Sequence, residues 1–118
     1  MIDKVNLSEK LASFDEIFSP RIVAYYNDEK IQVAKTKGDF VWHAHPDTDD
    51  LFLVLKGTLL IDLRDRTIEV GEGELFVVPR GVEHRPRADE EVHVLLIERR
   101  GTPNTGDAEA TPAPELEA

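Results

Sequence analysis

Residues 40–57, FVWHAHPDTDDLFLVLKG, decide how this chain folds. Two of its four histidines stand there one residue apart, acids follow, and an apolar run closes the stretch. In extended backbone, residues i and i+2 share a face, so His43 and His45 project together while the small Ala44 points away. LFLVLKG (51–57) is apolar at nearly every position. That predicts a strand buried on both faces and ended by Gly57. By the same parity Asp50 falls on the face of Phe52 and Val54. Pro46 opens a loop that leaves Asp47 and Asp49 to solvent, so Asp50 is the acid that faces inward with the histidines.

Upstream, RIVAYYN (21–27) and KIQVAKTK (30–37) are β-rich runs joined at Asn27, Asp28 and Glu29, a hairpin signal. DFVWHAH (39–45) is expected to be the next strand. Downstream, TLLIDLR (58–64) turns at Asp65 and Arg66 into TIEV (67–70), and GEGE (71–74) leads to LFVVP (75–79). EHRPR (83–87) and EVHVLLIER (91–99) follow as two further strands. No helical segment interrupts after Arg21, so the chain is all-β, a sandwich or a barrel. Ahead of the strands, NLSEKLASF (6–14) has Leu7, Leu11 and Phe14 near helical spacing, with Asn6 or Ser8 as cap. From residue 101, Gly, Pro, Thr, Ala and Glu dominate, which predicts disorder or loose packing. The expected organisation is a helical turn and arm (1–20), a β-barrel (21–100) and an acidic, disordered tail (101–118).

A length of 118 residues suits one domain with one modest core. There is no cysteine, which rules out disulfides and thiolate ligands. The net charge is −10, and the body stays acidic without the four acids of the tail. Such a surface repels phosphate backbones, so nucleic acid is not an expected partner. No apolar run approaches the ~20 residues of a membrane span, and no basic-then-apolar leader opens the chain. The expected location is the cytoplasm.

A third imidazole, His84, stands in PRGVEHRP (79–86), where Pro79, Gly81 and Pro86 mark a tight turn. Alone, a His-x-His pair is a weak signal, the acids of PDTDD are commonly a solvated loop, and His84 is an ordinary turn residue. Three imidazoles and a carboxylate arriving from separate strands are different. They suit Fe, Mn, Ni, Co, Cu or Zn. Four protein ligands on a six-coordinate ion leave two positions open for a substrate oxygen, water or dioxygen.

The ordered set resembles the cupin superfamily. Its first motif corresponds to Gly38, His43, His45, Asp50 and Gly57, and its second to Gly73, Pro79, Gly81 and His84. The resemblance spans residues 21–99 and looks like the small single-domain bacterial cupins of the cupin 2 type. It implies an antiparallel double-sheet jelly-roll barrel, often a homodimer. It also implies one divalent transition metal per chain (Fe, Mn, Ni or Zn), held by His43, His45, Asp50 and His84. Three departures stand out: Gly38 is one residue closer to His43 than usual, Ala88 replaces an asparagine, and Asp50 replaces a glutamate. Aspartate is one methylene shorter, about 1.3–1.5 Å of reach. Asp50 therefore ligates directly, binds through water, or leaves a three-histidine site.

The fourth histidine, His93, alternates with Leu95 and Ile97, while Val92, Val94 and Leu96 take the other face. Both faces are apolar, so parity leaves its direction open; it is a core-lining residue or the candidate catalytic acid/base. Phe52 and Phe76 are candidate pocket walls, and one of Tyr25 and Tyr26 should face inward. Trp42 should face outward, and Arg85 and Arg87 are candidates to meet an anionic ligand at the mouth. The functions implied are a metal-dependent dioxygenase, isomerase or lyase of a small molecule, or a non-catalytic sugar or organic-acid binding or sensor module. A third is a barrel that has lost its metal. The apolar excess of LFLVLKG predicts a homodimer that covers its outer face.

Overall fold

A computed structural model describes residues 3–118. The helix α1 (Leu7–Leu11) is capped by Asn6, whose side chain accepts the Glu9 N–H at 3.1 Å. It lays Leu11, with the following Phe14, on Val33. Strand β1 (Arg21–Tyr26) turns at Asn27 and Asp28 into β2 (Glu29–Asp39), the expected hairpin. Asn27 takes the left-handed conformation (φ 54°), which asparagine tolerates in such turns. Six strands follow: β3 (Asp50–Lys56), β4 (Leu59–Leu63), β5 (Thr67–Val70), β6 (Leu75–Val78), β7 (His84–Arg99) and β8 (Leu116–Glu117).

β7 organises the sheet. Along one edge it pairs with β2. Along the other its first residues pair with β4 and its later half with β3. β5 extends β4, β6 extends β3, and β1 extends β2. Two antiparallel lobes thus diverge from the shared β2–β7 pair and face each other across the core, in a sheet that is not closed. This is the jelly-roll arrangement expected. Phe52 and Val54 from β3 meet Leu59 and Ile61 from β4 and Val92 and Val94 from β7 between the lobes. At Gly38 the β2–β7 register shifts, and its φ of 79° suits glycine alone.

Four local expectations change. EHRPR and EVHVLLIER are one 16-residue strand, because β7 bends through the exposed Asp89, Glu90 and Glu91 as β4 gives way to β3 beside it. DFVWHAH is not a strand beyond Asp39; His43 makes one isolated bridge to His84. β3 is not buried on both faces: Asp50, Phe52 and Val54 are buried, while Leu51, Leu53 and Leu55 are half-buried. Leu55 packs against the cluster that α1 brings. The tail, expected to be loose, folds back on the body. β8 runs parallel to β1, Glu115 pairs with Lys30 at 2.7 Å, and Thr105 is buried. Its few apolar atoms are supplemented by polar anchors that composition does not reveal. Among the described residues no helix is long and apolar enough to cross a membrane.

Candidate metal centre

His43 and His84 are joined through their backbones. The His43 N–H donates to the His84 carbonyl at 3.0 Å, and the His84 N–H donates to the His43 carbonyl at 2.9 Å. Their ring centroids lie 4.3 Å apart. Each ring nitrogen Nδ1 lies 2.9 Å from the carbonyl two residues earlier, Val41 for His43 and Val82 for His84. A carbonyl only accepts, so both Nδ1 atoms carry the proton and both Nε2 atoms present a lone pair. His45 is placed by the Gly81 N–H, which donates to its carbonyl at 2.9 Å, and its ring lies 4.9 Å from that of His43. Asp50 opens β3, with Oδ2 at 3.3 Å from His45 Nε2 and 3.9 Å from His84 Nε2. The four residues the sequence singles out thus meet in one buried cluster. The three imidazoles each offer a nitrogen, and these lie within 4.8 Å of one another.

A fifth residue joins them that the sequence reading did not single out. Glu98, near the end of β7, is 4% exposed. Its Oε1 accepts from the Gln32 side chain at 3.2 Å, and its Oε2 lies 3.9 Å from His45 Nε2. His45, Asp50 and Glu98 form a second set within 4.8 Å. Parity puts Glu98 in one row with Val92, Val94 and Leu96, but with both faces of the strand apolar it did not say that this row faces inward. With that row inside, a carboxylate in phase with it is a buried charge in need of a partner.

Burial and the adjacent Asp50 carboxylate push Glu98 up to about 9. Lys30 Nζ, at 3.7 Å, does not cancel this. It is spent on Glu115 at 2.7 Å and on the Thr102 carbonyl at 2.8 Å. Burial, then the neighbouring His84, bring His43 down to about 4, and burial lowers His84 as well. Both imidazoles are neutral at pH 7. Three buried atoms here have no hydrogen-bond partner: His45 Nδ1, Asp50 Oδ1 and His84 Nε2.

Other expected site residues lie elsewhere. His93 is turned away from the cluster and half-buried, bonded through Nε2 to Glu91 at 2.9 Å, because Val92 and Val94 take the inward face of β7. It does not line the cavity beside the cluster. Arg85 and Arg87 are pinned on Asp62 at 2.9 and 2.8 Å rather than turned to a ligand. Burial raises the Asp62 carboxyl, but the bonds from Arg87, Thr67 and Arg85 outweigh that and hold it at about 2. Tyr25 and Tyr26 are both exposed. Trp42 does face outward, under the Arg64 guanidinium at 3.9 Å. Asp49 accepts from the Arg80 N–H at 2.9 Å, a loop contact away from the cluster. Ala88, in place of the asparagine, is part of the core.

Beside the cluster lies a cavity of about 50 Å³, walled by Phe18, Phe40, Phe52 and Leu96, with His43, Asp50 and Glu98 as its ionisable lining. The cupin-domain family profile matches residues 30–98. That span is more than half of the chain and runs from β2 to the end of β7, taking in every residue of the cluster. The chain belongs to the cupin family. A cupin-2 domain containing protein from Shewanella frigidimarina is 45% identical, with a TM-score of 0.80 over 81% of this chain and 94% of that one. A Neisseria meningitidis structure is 32% identical, with a TM-score of 0.76 over 82% and 99% of the two chains. The uncharacterized protein YdbB of Bacillus subtilis is 34% identical over 80% of this cupin and 78% of its own length.

Proposed function

We propose that this cupin binds one divalent transition metal (Fe, Mn, Ni or Zn) through His43, His45, His84 and Asp50, and acts on a small molecule held in the adjoining cavity. The supporting observation is the trio of unpartnered buried atoms, His45 Nδ1, Asp50 Oδ1 and His84 Nε2. A buried polar atom with no partner costs about 1–3 kcal/mol, and more if charged. Three in one cluster are a cost that a cation removes. The donors also fit such an ion chemically: imidazole and carboxylate suit borderline transition metals, and no thiolate is present. His43 and His84 need shed no proton to offer Nε2.

Such an ion supplies Lewis acidity toward a ligand oxygen. The chain supplies the rest. Phe18, Phe40, Phe52 and Leu96 exclude water and take the apolar part of a ligand. Glu98, held up to about 9 in the metal-free chain by burial and Asp50, is a carboxyl at the cavity wall that a bound cation would bring down toward neutral pH, where it could give or take a proton. A buried proton donor beside a metal supports a dioxygenase, isomerase or lyase. The non-catalytic binding module is the second reading, favoured by the small volume, which holds only a few water-sized groups.

The test is a titration of protein purified without an affinity tag and stripped by chelator. Calorimetry with Mn(II), Fe(II), Ni(II) and Zn(II) should find one ion per chain. His43→Ala and His84→Ala should each weaken binding at least ~100-fold. Equal uptake by wild type and both variants would show that the ion binds elsewhere.

A homodimer is part of the same proposal. β6 pairs only with β3 among the described residues, and its Leu75 and Val77 are exposed. A second copy of the chain covers both the free edge and the apolar pair.

A further inference from the structure

We propose that Asp107 is the positioning residue of the His43 and His45 pair, and that residues 103–108 form the outer wall of the centre. The proposal rests on the metal assignment above. The pair lies outside every named strand, so no ladder fixes it. His43 is held by His84, and the His45 carbonyl by Gly81. Ala44, between them, is 4% exposed, and its own N–H and carbonyl must find partners elsewhere.

One residue satisfies both. The Ala44 N–H donates to Asp107 Oδ1 at 2.7 Å, and the Asp107 N–H donates to the Ala44 carbonyl at 3.0 Å. Two bonds close on the single residue that links two metal-ligand candidates. The strap that carries Asp107 is built for the contact. Gly106 has a φ of 54°, and a Cβ there would run into the Ala44 carbonyl oxygen and reach 3.0 Å from His43 Cδ2. The strap therefore approaches the His43 ring only because residue 106 is glycine. It is turned internally by Gly106 N–H to Pro103 and Ala108 N–H to Thr105, both at 3.0 Å. Thr105 is buried, and Asn104 ties the strap to the Phe18 carbonyl at 3.3 Å and to the Ala113 N–H at 2.9 Å.

Moving Ala44 moves both imidazoles, because each is one peptide away. Metal–nitrogen bonds are about 2.0–2.1 Å, and a displacement of ~0.5 Å is enough to degrade a ligand set. Residues that orient ligands in this way typically cost 10–100-fold in metal affinity when removed.

The experiment compares full-length wild type, Asp107→Asn, Asp107→Ala and Gly106→Ala. Each is titrated with Zn(II) and Mn(II), and amide exchange at Ala44 is followed in the metal-free protein. Asp107→Ala should exchange the Ala44 amide at least ~10-fold faster and bind the ions ~10–100-fold more weakly. Asp107→Asn, whose Oδ1 still accepts, should stay near wild type in both. Gly106→Ala should resemble Asp107→Ala, since it lifts the strap while keeping the carboxylate. Wild-type affinity in Asp107→Ala overturns the proposal. So does Asp107→Asn as impaired as Asp107→Ala, which would make the effect one of charge. If wild type itself takes up no ion, the metal assignment falls alone. Ala44 exchange and the His43 Nδ1 proton, read by nitrogen-15 NMR, then decide: altered in Asp107→Ala they uphold the positioning role, and unchanged they refute it.

Discussion

Glu98 and His43 are both buried and line the same cavity, yet they bias stability in opposite directions with pH. Glu98 titrates near 4.5 when unfolded and about 9 when folded. Between those values the folded chain keeps a proton the unfolded chain has lost, so stability falls as pH rises toward 9. His43 moves from 6.5 to about 4, so the unfolded chain gains its proton first, and stability falls as pH drops from 6.5 toward 4. His84 shifts in the same direction as His43. Below pH 6.5 the trends oppose; above it Glu98 acts without them. Urea unfolding in chelator should therefore show stability falling between pH 6.5 and 9, on the order of 1–3 kcal/mol, with a flat profile in Glu98→Gln. A flat wild-type profile would place Glu98 in its ionised form. Residue by residue, His43, His45, Asp50 and His84 were legible because motif order and local parity mark them. Glu98 and His93 were not, because both faces of their strand are apolar and only its neighbours decide which faces in.

β4 illustrates what an element contributes. Ile61 is fully buried at its centre, between β5 and β7, whereas Leu75 on β6 is 59% exposed. Ile61→Ala should cost about 2–5 kcal/mol in urea unfolding, and Leu75→Ala no more than about 0.5 kcal/mol when both are measured in the dilute, dissociated chain. Comparable losses there would mean that Leu75 is covered within the chain itself. The elements from β1 to β6 were legible in outline, because turn residues such as Asn27, Asp65 and Gly71 punctuate alternating runs. The join of EHRPR to EVHVLLIER was not. Its central acids look like a turn, and only the exchange of β4 for β3 along one edge keeps the strand continuous.

Across the whole molecule, the free edge of β6 and the exposed Leu75 and Val77 set the expected assembly. Light scattering at micromolar concentration should give the mass of two chains, and Leu75→Lys with Val77→Lys should halve it without altering the far-ultraviolet spectrum. A monomeric wild type would remove the dimer from the proposal. Metal binding should also register on the whole fold. At an ion concentration 100 times Kd, stabilisation is about 2.7 kcal/mol, on the order of 10 °C in Tm for a domain of this size. His84→Ala should show little of it.

By itself the sequence determined the all-β class, the hairpins, and the convergence of three histidines and Asp50. The first two follow from spacing along the chain, a period of two and turn residues at strand ends; the third is what the resemblance of the motif order to the cupins implied. Only the tertiary structure decided that Glu98 enters the cluster, that His93 leaves it, and that residues 103–108 lie against His43 and Ala44. Those outcomes depend on which strand lies beside β7 and on where a polar tail finds buried backbone groups to satisfy. Contacts between residues some sixty positions apart, such as Ala44 with Asp107, leave no local period to read.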